Sequence, residues 1–277
     1  MNKISQYGKV ILIGAGPGDP ELLTIKALNF IKKADVILTD RLVSPVIINE
    51  YANSSADIIY VGKQCRKGNS TPQHTINELM VQYASEGKLV VRLKGGDVSI
   101  FSNILDELQT LADNKIPYEI VPGITAALGA AAYSGIPLTA RNYSTAVRFI
   151  TYYKSDVITE AYWKELASTN DTLVFYMSAE TLPAIVKNLV ANNIGNDKKL
   201  AVIEQATTPL QQVQTCSLYE FENIFHNRSF LSPSLIIIGK VVELHNEFAW
   251  LTNSVKSEEY FRSYENNAID HAKSVRA

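Results

Sequence analysis

Short apolar, β-rich runs alternate with helical patterns along this chain, and that alternation limits the folds open to it. In the first half the strand candidates are residues 9–13, 35–39, 57–61, 89–93 and 118–121. The helix candidates between them are 20–33, 72–86, 102–113 and 124–133. Strands separated by helices are joined by crossover connections and form a largely parallel, buried sheet. The pattern therefore predicts an α/β fold.

A second series of elements follows residues 134–142, where turn-forming residues without a helical period predict a domain boundary. Its strand candidates are 147–152, 172–177, 200–204, 211–215 and 234–239, and its helix candidates are 160–168 and 181–192. The sequence predicts two α/β domains, at 8–134 and 145–250, and a polar tail at 251–277 with mobile final residues.

Composition excludes several classes of function. The net charge of -2 argues against a nucleic-acid binder, which would usually carry a strongly basic face. Cys65 and Cys216 lie far apart and form no Cys/His array, so we expect neither a disulfide framework nor a metal site. The N-terminus has no signal-peptide core, and no apolar run approaches the roughly 20 residues of a membrane span. We expect a cytoplasmic protein without a membrane partner.

A glycine-rich loop, IGAGPGD at 13–19, joins the first strand candidate to a helix. Gly14, Gly16 and Gly18 resemble a dinucleotide fingerprint, but Asp19 stands where its last glycine belongs. Asp40, at the end of the second strand candidate, has the position of a ribose-binding acid, about 20 residues on. On these residues alone, a plain tight turn and a Rossmann-type site for NAD or S-adenosylmethionine both remain open.

Two later strand candidates also end in glycine, in VRLKGGD at 91–97 and VPGITAA at 121–127. Glycine lets a backbone approach a ligand closely, and ligands bind at the carboxyl ends of parallel strands. These loops therefore predict a binding site at one sheet edge. The small residues at 123–132 are also compatible with close helix packing.

Taken together, these motifs resemble the tetrapyrrole methylase family over about residues 8–250. The motifs that carry the resemblance, in chain order, are GAGPGDPELLT (14–24), TDRLVSP (39–45), YVGK (60–63), VRLKGGD (91–97), VPGITAALGAAAYSGIPLTAR (121–141), TLVFYM (172–177) and the turn at 207–209. No single motif is decisive, but this many in one order is highly specific.

The resemblance implies two α/β domains of the tetrapyrrole methylase type with S-adenosylmethionine in the cleft between them. It implies methylation of uroporphyrinogen III at C2 and C7 to give precorrin-2, which feeds sirohaem and, in some organisms, cobalamin. It also implies a homodimer. By the same resemblance Asp40 is the proton acceptor, not a ribose ligand, and Lys63 is the proton donor. The implied cofactor contacts are Pro17, Gly95, Gly96, Asp97, Ile100, Thr125, Ala126, Met177 and Ala206, where the family commonly has glycine.

The chemistry agrees with these residue types. Methyl transfer from a sulfonium is a displacement that depends on alignment, and attack by carbon leaves a proton for a nearby base. The substrate carries eight carboxylates, so an acidic chain must gather cations locally. The basic residues near the predicted strand ends are Arg41, Lys63, Arg66, Lys67, Arg92, Lys94 and Arg141. Taken singly, Asp40 could equally cap a helix, Asp97 form a turn, and Met177 fill a core.

The chain also departs from the family pattern on the substrate side. After GGD the family has a Gly-Arg-Gly-Gly turn, whereas residues 98–107 read VSIFSNILDE and predict an earlier helix start capped by Ser102. Gln64 replaces an arginine, and Tyr152 and Tyr153 stand where many members have Gly-His. Two alternatives therefore stay open: methylation of another acceptor, such as a later precorrin, and a non-catalytic S-adenosylmethionine-binding protein.

Overall fold

The computed structural model describes residues 8–64, 69–153, 158–226, 228–261 and 271–272. The chain divides into two compact units, one of Met1–Thr125 with Phe261–Ala277 and one of Ala126–Tyr260. The strands are, in chain order, β1 (Lys9–Gly14), β2 (Val36–Thr39), β3 (Asp57–Tyr60), β4 (Lys63–Gln64), β5 (Asn69–Ser70), β6 (Leu89–Lys94), β7 (Tyr118–Val121), β8 (Val147–Thr151), β9 (Thr172–Tyr176), β10 (Lys199–Glu204), β11 (Gln212–Ser217), β12 (Ser234–Gly239) and β13 (His271–Ala272).

Helices join most of these strands. The α-helices are α1 (Ile25–Ile31), α2 (Pro45–Tyr51), α3 (Gln73–Ser85), α4 (Ile104–Asp113), α5 (Ala126–Ser134), α6 (Glu160–Ser168), α7 (Leu182–Ala191), α8 (Phe221–Phe225) and α9 (His245–Phe248). Short 3₁₀ turns lie at Pro20–Leu22, Leu218–Glu220 and Lys240–Leu244.

The first unit contains a sheet with strand order β13-β3-β2-β6-β1-β7. All of its pairings are parallel except that of β13, which runs antiparallel to β3 at the sheet edge. Successive side chains of a strand point to opposite faces, and both faces here are buried. Ile11 and Ile13 of β1 pack in one cluster with α1 and α2, whereas Val10 and Leu12 pack in another with α3. A parallel sheet covered on both faces follows from its near-continuous apolar strands.

The second unit contains a five-stranded sheet with order β11-β10-β12-β9-β8. Strands β8 and β9 are parallel, and β12 runs antiparallel to both β9 and β10. The carboxyl ends of β8, β9 and β10 therefore lie at one edge of this sheet. Trp163, Phe175 and Ile236 belong to the core cluster that covers one sheet face.

The predicted α/β class and the strand positions agree with this structure to within one or two residues at most ends. The single helix predicted over 20–33 is wrong, because the chain is extended at Leu23 and Thr24. The Thr24 hydroxyl accepts a hydrogen bond from the Ala27 amide at 3.1 Å and starts α1 afresh. Sequence reasoning also missed α2, which begins with Pro45 at its first position.

The predicted cap at Ser102 is also wrong. Helix α4 begins at Ile104, after Asn103 in the left-handed conformation (φ 54°), and Asn103 provides no side-chain cap. The Ser102 hydroxyl donates instead to the Val98 carbonyl. Phe101, at φ 51°, is left-handed as well. This segment thus takes up backbone conformations that favour glycine, although its sequence contains none.

Two further differences concern the ends of the units. Helix α5, which lies within the predicted first domain at 8–134, groups with the second unit. The start of the predicted tail is ordered by specific contacts within that unit. The Asn253 side chain exchanges two hydrogen bonds with the Val213 backbone, at 2.7 and 2.8 Å. Residues 262–270 and 273–277 of the tail lie outside the described residues.

Candidate active site

The carboxyl ends of the parallel strands bring most of the predicted site residues of the first unit to one sheet edge. Because β1, β2, β6 and β7 are parallel neighbours, the loops that follow them leave the sheet on the same side. These loops carry Pro17, Asp40, the Gly95–Asp97 segment and Thr125. In open α/β sheets this edge is where ligands bind.

Backbone packing explains the glycines of these loops. Gly16 and Gly96 exchange two backbone hydrogen bonds, at 3.1 and 2.7 Å. A Cβ atom at Gly14 would lie 2.6 Å from the Gly96 carbonyl oxygen, and one at Gly123 would lie 2.4 Å from it. Only glycine permits so close an approach. The glycines thus allow the loops after β1, β6 and β7 to pack against one another. This structural role is separate from any contact with a ligand.

Asp97 joins two of these loops. Its Oδ2 accepts a hydrogen bond from the Gly123 amide at 2.9 Å, and its Oδ1 accepts from the Ser99 amide at 2.8 Å and from the Ser99 hydroxyl. Burial alone would raise the pKa of Asp97, but the hydrogen bonds from Ser99 and Gly123 hold that pKa below its ordinary value. Asp97 therefore serves as an ionised tie between the loops, in agreement with its interpretation as a turn residue.

Asp40 is held by a buried arginine of the neighbouring strand. The Arg92 guanidinium donates from Nη2 to Asp40 Oδ1 at 2.6 Å, and from Nη1 to the Leu38 and Leu93 carbonyls, both at 3.2 Å. The Asp40 side chain keeps 27% of its surface exposed, whereas that of Arg92 keeps 3%. Asp40 is thus a fixed carboxylate that remains accessible at the sheet edge.

Glu107 of α4 is fully buried and contacts the same arginine. Its Oε1 accepts from Arg92 Nε at 3.1 Å and from Lys94 Nζ at 2.9 Å. Burial lowers the pKa of Arg92, but Asp40 and Glu107 outweigh that effect and raise it. For Lys94, burial and the charge of Arg92 prevail over the contact with Glu107 and lower its pKa.

This cluster corrects one prediction. Arg92 and Lys94 belong to the set of cations that we expected to face the substrate carboxylates, but both are buried and paired with acids inside the first unit. Two charged residues on one face of an otherwise apolar strand require a buried partner of opposite charge. That requirement is the signal by which Glu107, which sequence reasoning missed, could have been found.

The predicted proton donor, Lys63, begins a short hairpin in which β4 pairs with β5. The hairpin follows β3, so its backbone also leaves the sheet at the carboxyl edge. The Lys63 side chain, like Cys65, Arg66 and Lys67, lies outside the part of the chain that the structure describes.

In the second unit the predicted contacts Met177 and Ala206 follow β9 and β10, whose carboxyl ends share an edge. Met177 has φ 54° and is 47% exposed. Its sulfur accepts a hydrogen bond from the Tyr153 hydroxyl at 3.0 Å. An exposed methionine in the left-handed region is no ordinary core filler, since such conformations are costly and cluster at functional sites.

The loop around Ala206 is strained and firmly held. Gln205 and Thr207 have φ 49° and 66°. The Thr207 amide donates to the Gln211 side chain at 2.8 Å, and the Thr208 hydroxyl donates to the Gln205 carbonyl at 2.8 Å. Ala206 is thus presented between two residues in left-handed conformations, with its backbone fixed on both sides.

The remaining predicted contacts differ in exposure. Thr125 is buried, and Pro17, Ile100 and Ala126 are half-buried. Ala126 begins α5, where the next amide, of Ala127, donates to the Tyr176 hydroxyl at 3.1 Å. No group of His, Cys, Asp and Glu side chains that could hold a metal ion occurs among the described residues. Within the same residues, no helix has the length and apolar character needed to cross a membrane.

Comparison with known proteins shows the family to which this chain belongs. Residues 9–222 match the family of Tetrapyrrole (Corrin/Porphyrin) Methylases. The chain therefore belongs to the tetrapyrrole methylase family, as the sequence motifs predicted.

Curated relatives point to a particular branch. The siroheme synthase of Vesicomyosocius okutanii is 46% identical over 89% of this chain and 52% of its own length. That of Pseudomonas paraeruginosa is 46% identical over 88% of this chain and 52% of its own length. The chain thus spans about half the length of these relatives.

Solved structures confirm the fold. The uroporphyrin-III C-methyltransferase of Thermus thermophilus has a TM-score of 0.72 at 31% identity, covering 88% of this chain and 98% of that one. The same enzyme solved with S-adenosyl homocysteine has a TM-score of 0.71 at 32% identity, covering 86% of this chain and 94% of that one.

Proposed function

We propose that this chain is a uroporphyrinogen-III C-methyltransferase. It transfers methyl groups from S-adenosylmethionine to C2 and C7 of uroporphyrinogen III and yields precorrin-2 for sirohaem synthesis and, in some organisms, for cobalamin synthesis. The observation that carries the proposal is the match over nearly the whole length of the Thermus thermophilus enzyme, at 31% identity and a TM-score of 0.72. The half-length match to siroheme synthases supports the same pathway.

S-adenosylmethionine is the proposed methyl donor. A structure of the Thermus thermophilus enzyme contains S-adenosyl homocysteine, which is what this donor becomes after methyl transfer. We propose that Pro17, Gly95, Gly96, Asp97, Ile100, Thr125 and Ala126, with Met177 and Ala206, contact the donor. In support, the loops that carry the first six of these residues are fastened together at one sheet edge, and Met177 and Ala206 lie at strained strand ends.

In the proposed reaction Asp40 is the proton acceptor, which takes up the proton that the tetrapyrrole ring system releases after methylation, and Lys63 is the proton donor. Carbon attack on the sulfonium methyl forms a C–C bond and breaks the S–C bond, so the substrate must then lose one proton to regain a neutral ring system. The Asp40 carboxylate is suited to this task because it is accessible while Arg92 fixes one of its oxygens at 2.6 Å.

The test is an anaerobic assay of the purified chain with S-adenosylmethionine and uroporphyrinogen III. It follows S-adenosylhomocysteine release and the mass of the tetrapyrrole. The proposal predicts a gain of two methyl groups. Cofactor binding without methylation would contradict it and direct the search to another acceptor, such as a later precorrin.

Two finer features stay predictions. The resemblance favours a homodimer, and size-exclusion chromatography with light scattering measures the mass against 30.7 kDa for one chain. A cytoplasmic location is the other, and cell fractionation tests it.

A further inference from the structure

Glu107 is the most deeply buried acid of the cluster that ends at Asp40. Its residue has no exposed surface, and its Oε1 accepts from Arg92 Nε at 3.1 Å and Lys94 Nζ at 2.9 Å. Its other oxygen, Oε2, is buried and has no hydrogen-bond partner among the described residues. A buried carboxylate with an unsatisfied oxygen is costly, so its presence here requires a reason.

Arg92 binds both Glu107 and Asp40, so the position of its guanidinium links the positions of the two carboxylates. A guanidinium is a rigid planar fork. Here its Nε points to Glu107, its Nη2 points to Asp40, and its Nη1 binds the Leu38 and Leu93 carbonyls. With these directions occupied, the guanidinium plane is fixed, and the Asp40 carboxylate is fixed with it.

Stability alone does not account for this arrangement. Apolar residues of similar volume usually stabilise a protein core as well as a buried ion pair does, or better. The cluster also lies where β6 reaches the carboxyl edge of the sheet, beside Gly95 and Gly96. A polar cluster that is expensive to bury and ends on the exposed acid of a candidate site is suited to holding that acid in place.

We propose that Glu107 is a positioning residue for methyl transfer, which holds Arg92 and, through Arg92, holds Asp40 at the sheet edge. This inference rests on the proposed function. Glu107 also balances the charges of Arg92 and Lys94, which share its Oε1. Without its charge, Asp40 would be the only carboxylate paired with Arg92, and it would be drawn toward the buried side of the sheet.

The test compares Glu107→Gln with Glu165→Gln, which makes the same change beside Arg148 in the second unit. We expect Glu107→Gln to lower kcat about 100-fold, the usual cost of a small misplacement of a reacting group. The Kd for S-adenosylhomocysteine, measured by calorimetry, should stay within about twofold, because the charge lost is buried behind Asp40. Glu165→Gln should retain wild-type kcat and Kd.

A double-mutant cycle with Asp40→Asn shows whether Glu107 acts through Asp40. In that background Glu107→Gln should change single-turnover S-adenosylhomocysteine release by less than about threefold. An equal loss in both backgrounds would overturn the proposal, as would a parallel loss of cofactor affinity.

Two further measurements keep the test decisive. If Glu107→Gln does not fold, Glu107→Asp retains the charge but shifts it by one methylene, and its kcat should still fall while its circular dichroism stays native. A crystal structure of the folded variant should show the Asp40 carboxylate displaced toward the buried side of the sheet, and an Asp40 carboxylate in its wild-type position, 2.6 Å from Arg92 Nη2, would refute the inference. Absence of wild-type turnover would refute the proposed acceptor, whereas the structural measurement still tests Glu107.

Discussion

Two arginines in this chain are each held between two carboxylates, one in each compact unit. In the first unit Arg92 binds Glu107 through Nε and Asp40 through Nη2, at 3.1 and 2.6 Å. In the second unit Arg148 binds Asp171 through Nε at 2.6 Å and Glu165 through Nη1. The side-chain chemistry is the same, but the Arg92 side chain is 3% exposed and that of Arg148 is 31% exposed.

Position in the sheet separates the two clusters as clearly as burial does. Arg92 and Asp40 lie toward the carboxyl ends of β6 and β2, at the edge that carries the glycine loops. Arg148 is near the start of β8, and Asp171 immediately precedes β9, so they lie at the edge opposite Met177. We therefore expect a role in the site only for the acid–arginine–acid cluster that lies at the carboxyl ends of its strands.

The largest contrast is expected in turnover. Asp40→Ala should lower kcat by about 10²–10⁴, the usual contribution of a positioned acid or base. Asp171→Ala, which removes an acid from the other cluster, should leave kcat unchanged. Release of S-adenosylhomocysteine measures both variants, and calorimetry checks that cofactor binding survives in Asp40→Ala. A matching loss of cofactor affinity would instead support Asp40 as a ribose ligand.

Stability should separate the two arginines next. Arg92→Met removes one partner from a buried ion pair and leaves Glu107 facing Lys94 alone, which typically costs about 3–5 kcal/mol. Arg148→Met removes the cation of a cluster that is more exposed to solvent, and it should cost at most about 1 kcal/mol. Urea unfolding at pH 7 gives both free energies of unfolding. Equal losses would show that burial does not distinguish the clusters.

Low pH should reduce the stability that two carboxylates, Asp97 and Asp171, contribute to the fold. Hydrogen bonds from Ser99 and Gly123 lower the pKa of Asp97 against the effect of burial, whereas Arg148 lowers the pKa of Asp171. A carboxyl group whose pKa is lower in the folded state stabilises the fold above its unfolded pKa. It loses that effect as the pH falls through the folded pKa.

We therefore expect Asp97→Asn to cost about 2 kcal/mol at pH 7, as for hydrogen bonds to a charged group. The difference from wild type should shrink as the pH falls from about 5 toward 2. Asp171→Asn should behave in the same direction but with a smaller amplitude, because its site is more exposed. Unfolding curves over this range provide the measurement. A difference that grows in acid would contradict the assignment of Asp97 as an ionised tie.

In the first unit the sequence predicted the glycine loops at the strand ends, but it did not predict the buried charge cluster that supports Asp40. The alternation of apolar runs and helical patterns predicted the parallel sheet. In such a sheet the loops that follow the strands lie at one edge, so the glycine loops were expected there. The Arg92–Glu107 contact joins a residue of β6 to a residue of α4, so no local sequence pattern predicts it. Its only sequence signal is the pair of charges at Arg92 and Lys94 in an apolar strand.

The second unit shows where local prediction fails for another reason. The resemblance predicts Met177 and Ala206 as cofactor contacts, but it does not predict the left-handed backbones at Met177, Gln205 and Thr207, which are residues that do not favour this conformation. Such conformations are imposed by surrounding contacts, among them the hydrogen bond from Thr207 to Gln211 at 2.8 Å. Propensity cannot predict a conformation that tertiary contacts impose against it.

The smallest expected effect is that of salt on the stability contributed by the two arginines. Charges exposed to solvent are screened over about 3 Å in 1 M salt, whereas buried pairs are screened much less. The stability difference between wild type and Arg148→Met, at most about 1 kcal/mol in low salt, should therefore disappear in 1 M NaCl. The difference for Arg92→Met should persist almost unchanged. If both differences declined together, solvent would reach Arg92, and the rigid support that it gives to Asp40 would have to be abandoned.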